Sequence, residues 1–137
     1  MIGKLIKIFS KRSGFTLVEL LTVMMIAGIL ASIAIPSYKR YQIKARESVL
    51  AEDLYQMRRA IDAYYADFAS YPDSLEALVN GRYLRTLPRD PFTRLNNTWK
   101  CVPPEYSAQG NLAGGNCFDV ISGSKLIGLN GLPYFQW

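Results

Sequence analysis

Histidine is absent from the 137-residue sequence. That excludes a Ser-His-Asp triad, a histidine-ligated metal and a histidine proton shuttle built from these residues. Cysteine is scarce: only Cys101 and Cys117 occur, 16 positions apart, a spacing that matches no zinc site. A disulfide across that loop would stabilise the fold by about 3 kcal/mol and would persist only in an oxidising compartment. Two separate buried thiols are the other reading. Nucleophile motifs, phosphate-binding loops, internal repeats and low-complexity tracts are also missing. The Asp53, Asp62, Asp67 and Asp73 carboxylates could supply acids, but their spacing reads as a solvated helix face, so no enzyme is expected.

Acidic side chains are missing from the first 18 residues, where Lys4, Lys7, Lys11 and Arg12 stand alone. The net charge of +5 therefore misleads, because taking those four from 16 Lys and Arg leaves 12 against 11 Asp and Glu. Half the residues are hydrophobic, and the excess is concentrated near the N-terminus. Such a length accommodates one small domain plus one long helix.

An apolar run covers 15–36, with Glu19 its only charge. As a helix, 22 residues span about 33 Å, enough for a bilayer core. A secretory signal carries its small-residue cleavage site after the apolar stretch. Here Gly14 precedes it, so a cut after Gly14 would discard the charged leader and keep the helix. The residues Lys11-Arg12-Ser13-Gly14-Phe15-Thr16-Leu17-Val18-Glu19-Leu20 closely resemble the processing site of type IV prepilins and pseudopilins. The resemblance implies cleavage between Gly14 and Phe15 by a prepilin peptidase, N-methylation of Phe15, and pairing of Glu19 with the N-terminal amine of a neighbouring subunit during assembly.

A carboxylate in an apolar span is by default functional. Two groups could compensate Glu19, namely the helix N-terminus and the Phe15 amine one turn away. Snorkelling to lipid headgroups is the plainer alternative. Gly28 and Pro36 are either tolerated in a membrane helix or mark a stretch that extends when the subunit leaves the bilayer, as the resemblance implies; proline also removes a backbone hydrogen bond. Lys39, Arg40, Lys44 and Arg46 balance the leader charges, so the positive-inside rule leaves the orientation open. The cysteines and the leader resemblance place the C-terminal part outside the cytoplasm.

Beyond Pro36 the helix is expected to continue to about Ala69. Leu50, Leu54, Met57, Ile61, Tyr64 and Phe68 repeat at steps of four and three, forming one apolar stripe. Its simplest use is to pack on the C-terminal region; a partner groove or coiled coil is the alternative. Arg46, Glu47, Glu52, Asp53, Arg58, Arg59, Asp62 and Asp67 occupy the other faces. Tyr71-Pro72 breaks the helix. Asp73, with Glu76 three residues on, reads as the N-cap of a short helix through Val79 that Asn80-Gly81 ends. Pro88, Pro91, Pro103, Pro104, Gly110, Gly114 and Gly115 mark a loop-rich stretch, with short strands near 98–102 and 117–121. The Asp90-Pro91 step reads as a turn.

The C-terminal part carries Tyr71-Pro72, Gly81-Arg82-Tyr83-Leu84, Leu87-Pro88 and Asp90-Pro91-Phe92. Further on come Asp119-Val120, Ser122-Gly123-Ser124, Gly131-Leu132-Pro133-Tyr134 and Trp137. In order and spacing these resemble the major pseudopilins of type II secretion systems. That resemblance implies a type IV pilin-like α+β fold, with a long transmembrane and amphipathic helix on a small loop-rich domain holding a short antiparallel sheet. The expected organisation is a cleaved leader at 1–14, a transmembrane and filament-core helix at 15–36, an amphipathic helix at 37–69 and a periplasmic globular region at 70–137.

It also implies a helical homo-oligomeric filament. Its partners would be an inner-membrane assembly platform with its ATPase, minor pseudopilins and an outer-membrane secretin. The subunit would wait in the bacterial inner membrane as a single-pass protein before assembly. No cofactor is expected. Calcium, which many major pseudopilins bind in this loop, finds only Asp119, with Ser122, Ser124 and Asn130 as neutral oxygens and Lys125 as a repelling charge. A surface pilin for adhesion, motility or DNA uptake is the alternative function. For nucleic acid, Arg82, Arg85, Arg89, Arg94 and Lys100 with Tyr83, Phe92 and Trp99 interleaved are the only candidates, and a solvated surface is the simpler account of them.

Overall fold

Leu, Met, Ala and Ile dominate the sequence after Thr16, and the chain winds there into one long helix. In the computed structural model, which describes residues 14–105 and 114–137, helix α1 (Leu17–Phe68) is 52 residues long and includes Pro36. The expected leader, apart from Gly14, and the loop marker Gly110 lie outside the described residues. Pro36 has no N–H to give the Ser32 carbonyl. Hydroxyls bond the main chain on either side, Ser32 Oγ to the Ile29 carbonyl (2.6 Å) and Ser37 Oγ to the Ile33 carbonyl (3.2 Å). The helix is unbroken across this point. It stops where Ala69 takes a positive φ of 51°, just before Tyr71-Pro72.

The chain divides into two units after Lys39. In the first, every described residue is exposed, and α1 is long and apolar enough to cross a membrane. In the second, Arg40–Trp137, α1 buries Glu47, Leu50, Leu54, Met57, Ala60 and Ile61. The expected stripe therefore packs as a core face, with two differences. Tyr64 is only partly buried against the core, and Phe68 is 59% exposed and rests on the Tyr64 ring instead. At the other end the face begins with Glu47 rather than leaving it in solvent.

Leu75, Leu78, Trp99, Cys117, Val120 and Tyr134 close the core. Each large apolar side chain buried here contributes roughly 1.5–3 kcal/mol, and α1 and the segments packed on it share that burial. Helix α2 (Leu75–Asn80) supplies Leu75 and Leu78. Its N-cap position falls to Ser74, without a side-chain cap bond, which corrects the expected cap at Asp73. Tyr71-Pro72 is already tied to the segment that follows residue 113: the Tyr71 N–H bonds the Gly114 carbonyl (2.7 Å), and the Pro72 carbonyl accepts from Asn116 and Cys117. That docking starts the helix one residue late.

Strands β1 (Lys100–Val102) and β2 (Asp119–Ile121) pair antiparallel, with Cys101 opposite Val120. They fall inside the stretches where strands were expected. A disulfide joins Cys101 to Cys117, with Cα atoms 4.8 Å apart. Two glycines let the chain pass close on either side of β2. Gly115 has φ +96°, and a Cβ there would lie 1.9 Å from the Tyr71 carbonyl oxygen; at Gly123 it would lie 2.2 Å from that of Thr98. No larger residue fits either place.

Candidate functional site

The first candidate site is the start of α1. Gly14, Phe15 and Thr16 precede the helix and are exposed, and nothing lies within 4 Å of where a Gly14 Cβ would be. The Gly14–Phe15 peptide bond thus precedes the hydrogen-bonded ladder of the helix. Thr16 caps the helix. The Glu19 N–H donates to Thr16 Oγ1 (3.2 Å), while Glu19 Oε2 accepts from both the Thr16 N–H and its hydroxyl (3.3 Å each). This is a reciprocal capping box.

It also explains how a carboxylate is tolerated at the start of an apolar helix. Its charge faces the positive end of the helix dipole and its oxygen is hydrogen-bonded. Sequence reasoning named the helix N-terminus and the Phe15 amine as partners and missed Thr16. The signal was there: Thr16-Leu17-Val18-Glu19 is the S/T-x-x-E pattern. Gly28 and Pro36 both lie within the exposed, helical first unit.

The second candidate site is the chain from β2 onward, fastened to α1 by two charged residues that the sequence places off the apolar stripe. Glu47 Oε1 accepts from the Leu129 N–H (2.6 Å) and the Tyr134 hydroxyl (3.0 Å). Burial, and then the bond to Glu47, push Tyr134 up to about 12. Eleven residues along α1, three turns and so on the same face, Arg58 Nε donates to Asp119 Oδ1 (2.6 Å). Arg58 Nη2 reaches Asp119 Oδ2 (3.4 Å), the Val120 carbonyl (3.3 Å) and the main-chain oxygen of Trp137 (2.8 Å).

Asp90, fully buried, is a third fastening. Its Oδ1 accepts from the Phe92 and Thr93 N–H groups, making the expected turn, and its Oδ2 accepts from the Ser122 hydroxyl (2.5 Å).

The oxygens considered for calcium are therefore committed. Asp119 is paired with a guanidinium and accepts from its own neighbour's N–H. Ser122 Oγ is bonded to Asp90 and Ser124 Oγ accepts from Leu126, while Asn130 Oδ1 accepts from Leu132. Among the described residues no three His, Cys, Asp or Glu side chains gather on one point. Calcium favours six to eight oxygens including several carboxylates, and with the Arg58 guanidinium in place this donor set does not fit it. The aromatics once considered for base stacking turn inward. Trp99 is 8% exposed with its N–H on the Pro88 carbonyl, Phe92 stacks on Tyr134 at 3.9 Å, and the Tyr83 hydroxyl bonds Asp67.

Residues 9–35 match the prokaryotic N-terminal methylation motif. Over 110 residues, covering 69% of this chain and 75% of the relative, the chain is 35% identical to type II secretion system core protein G of Aeromonas hydrophila. The chain belongs to the family of type II secretion system core protein G.

With the core protein G of Escherichia coli K12 it shares 31% identity over 122 residues, 77% of this chain and 82% of that one. The fimbrial protein EcpC of Eikenella corrodens is 35% identical over 81 residues, 56% of this chain and 53% of EcpC. No solved structure matches. As a core protein G, a major pseudopilin, the chain is a pilin-like subunit with a pilin-like α+β fold, a long apolar N-terminal helix and a small two-stranded C-terminal region. Its apolar helix fits membrane anchoring ahead of assembly.

Proposed function

We propose that this subunit is held in the bacterial inner membrane by 15–36, with the second unit in the periplasm, and works by assembling into a filament rather than by catalysis. A prepilin peptidase cuts between Gly14 and Phe15, and Phe15 becomes the methylated N-terminus. An assembly platform and its ATPase then lift the subunit into a helical filament whose core is the apolar part of α1. Minor pseudopilins and an outer-membrane secretin complete the apparatus, and the filament drives protein export. The observation that carries this reading is the start of α1, where an exposed, unwound Gly14–Phe15 bond is followed at once by a capping box centred on Glu19. A cut there frees an amine beside a carboxylate whose bonds to Thr16, at 3.3 Å, are long enough to be exchanged for a charged partner. The stretch between Gly28 and Pro36 is where the helix can extend as the subunit leaves the bilayer, since glycine and a missing N–H both weaken it.

The similarity to fimbrial protein EcpC favours a second reading, a subunit of a surface pilus. One experiment tests both: intact mass of the native protein, with a Glu19→Ala variant scored for filaments and for secretion. A mature chain starting at methylated Phe15, with filaments and secretion both lost in the variant, is the expected result. Lost filaments with secretion intact would point to the surface pilus. An uncleaved chain would reject the processing step, and a variant that assembles normally would reject the role given to Glu19.

A further inference from the structure

Four oxygen atoms converge on the Arg58 guanidinium from parts of the chain 61 to 79 residues away: two from the Asp119 carboxylate, one from Val120 and one from Trp137. A carboxylate beside main-chain carbonyls is the ligand chemistry of a hard divalent cation. Here the centre is instead a fixed nitrogen cation with five N–H donors and no acceptor. One covalent bond and one packed helix hold the cradle in place around it. Cys117, two residues before Asp119, is bonded to Cys101, and Arg58 projects from a helix whose neighbours Leu54, Met57 and Ile61 are buried.

We propose that Arg58 is the resident cation of the 119–137 segment. Its guanidinium fills an oxygen cradle that a divalent ion would otherwise be needed to close, so this part of the protein stays docked on α1 without calcium. The inference does not depend on the filament reading. It rests on where the guanidinium sits and on what that excludes. A second cation brought to Asp119 would meet Arg58 within hydrogen-bond distance of the same oxygens, and repulsion at such range is strong even in a partly wet site. A tethered cation is present at a fixed stoichiometry, whereas a bound ion stabilises only as far as its free concentration exceeds its Kd.

Removing the guanidinium should therefore expose the cradle. The experiment follows thermal unfolding of the full chain in detergent micelles by near-ultraviolet circular dichroism, in EGTA and then in millimolar CaCl2 or MgCl2. The wild type is expected to melt at the same temperature in all three. Arg58→Gln should melt roughly 5–15 °C lower in EGTA. It should recover part of that in CaCl2 but not in MgCl2, which demands a stricter octahedral geometry. Arg58→Lys, a point charge without the fork, should fall between the two. The proposal is overturned if calcium raises the wild-type midpoint by more than about 4 °C, or if Arg58→Gln melts with the wild type in EGTA. Should Arg58→Gln fail to fold, Arg58→Lys carries the comparison, and a midpoint equal to that of the wild type in EGTA overturns the proposal.

Discussion

The two halves of α1 are built from the same backbone and ask for different surroundings. From 17 to 36 the helix is apolar on every side save at Glu19, and it buries nothing. From 40 to 68 it is apolar on one stripe, and that stripe is the core of the second unit. A helix hydrophobic all round needs a medium, lipid or the apolar helices of other subunits; a helix hydrophobic on one face needs a partner within its own fold. One continuous element thus carries two kinds of solvation, and each can be perturbed without the other.

The sharpest break is a pair of identical truncations. Leu54→Ala empties a buried site and should cost about 2–5 kcal/mol, because the core around α1 relaxes only partly. Leu30→Ala, at a position 62% exposed, should leave the melting of the second unit unchanged. Denaturant unfolding followed through Trp99, buried in that unit, reads both. Equal losses would mean that the halves do not stabilise separately.

Removing the disulfide comes next. Cys101→Ser with Cys117→Ser should destabilise the second unit by about 3 kcal/mol, through the freedom the unfolded loop regains. Membrane retention of the first unit should not change, which membrane fractionation measures.

The same division governs how much could be read without a structure. Local patterns were legible. The apolar run, the Leu50 to Ile61 stripe, the short strands and the Asp90-Pro91 turn each depend on residues a few positions apart. The roles of Glu47 and Arg58 were not legible because their partners, Leu129 and Asp119, lie 82 and 61 residues away, and charge on a helix face gives no sign of what folds over it. The cap at Ser74 rather than Asp73 has the same origin, since the docking of 114–117 on Tyr71-Pro72 is a contact between distant segments. Thr16 is different. Its capping pattern with Glu19 is local, but the neighbouring processing motif offered another account of the same carboxylate.

Alkaline pH should probe the second unit alone. Tyr134, 1% exposed, is pushed up to about 12 by burial and by its bond to Glu47. A raised pKa in the folded state means that the neutral phenol is favoured there. The stabilisation is complete below the unfolded value near 10 and is lost as pH climbs towards 12. The loss should amount to about 1–2 kcal/mol, discounted for the water close to this shallow core. Stability measured from pH 9 to 12 should fall less steeply in Tyr134→Phe, which cannot ionise, although that variant starts lower for want of the Glu47 bond.

The smallest effect concerns a carboxylate that the fold does not favour. Asp53 lies between the buried stripe and the exposed face of α1, and its pKa is raised, first by burial and then by repulsion from Asp90 and Glu52. At neutral pH its charge therefore costs stability, and acidification through its pKa should relieve that cost. Asp53→Asn should do so at pH 7, stabilising the second unit by only a few tenths of a kcal/mol because the group is largely solvated. Comparing the variant with the wild type in urea at pH 7 and at pH 4 distinguishes the cause. The gain should shrink at the lower pH, where the wild-type carboxylate is itself partly neutral, while a gain equal at both values would trace to packing or helix propensity instead of charge.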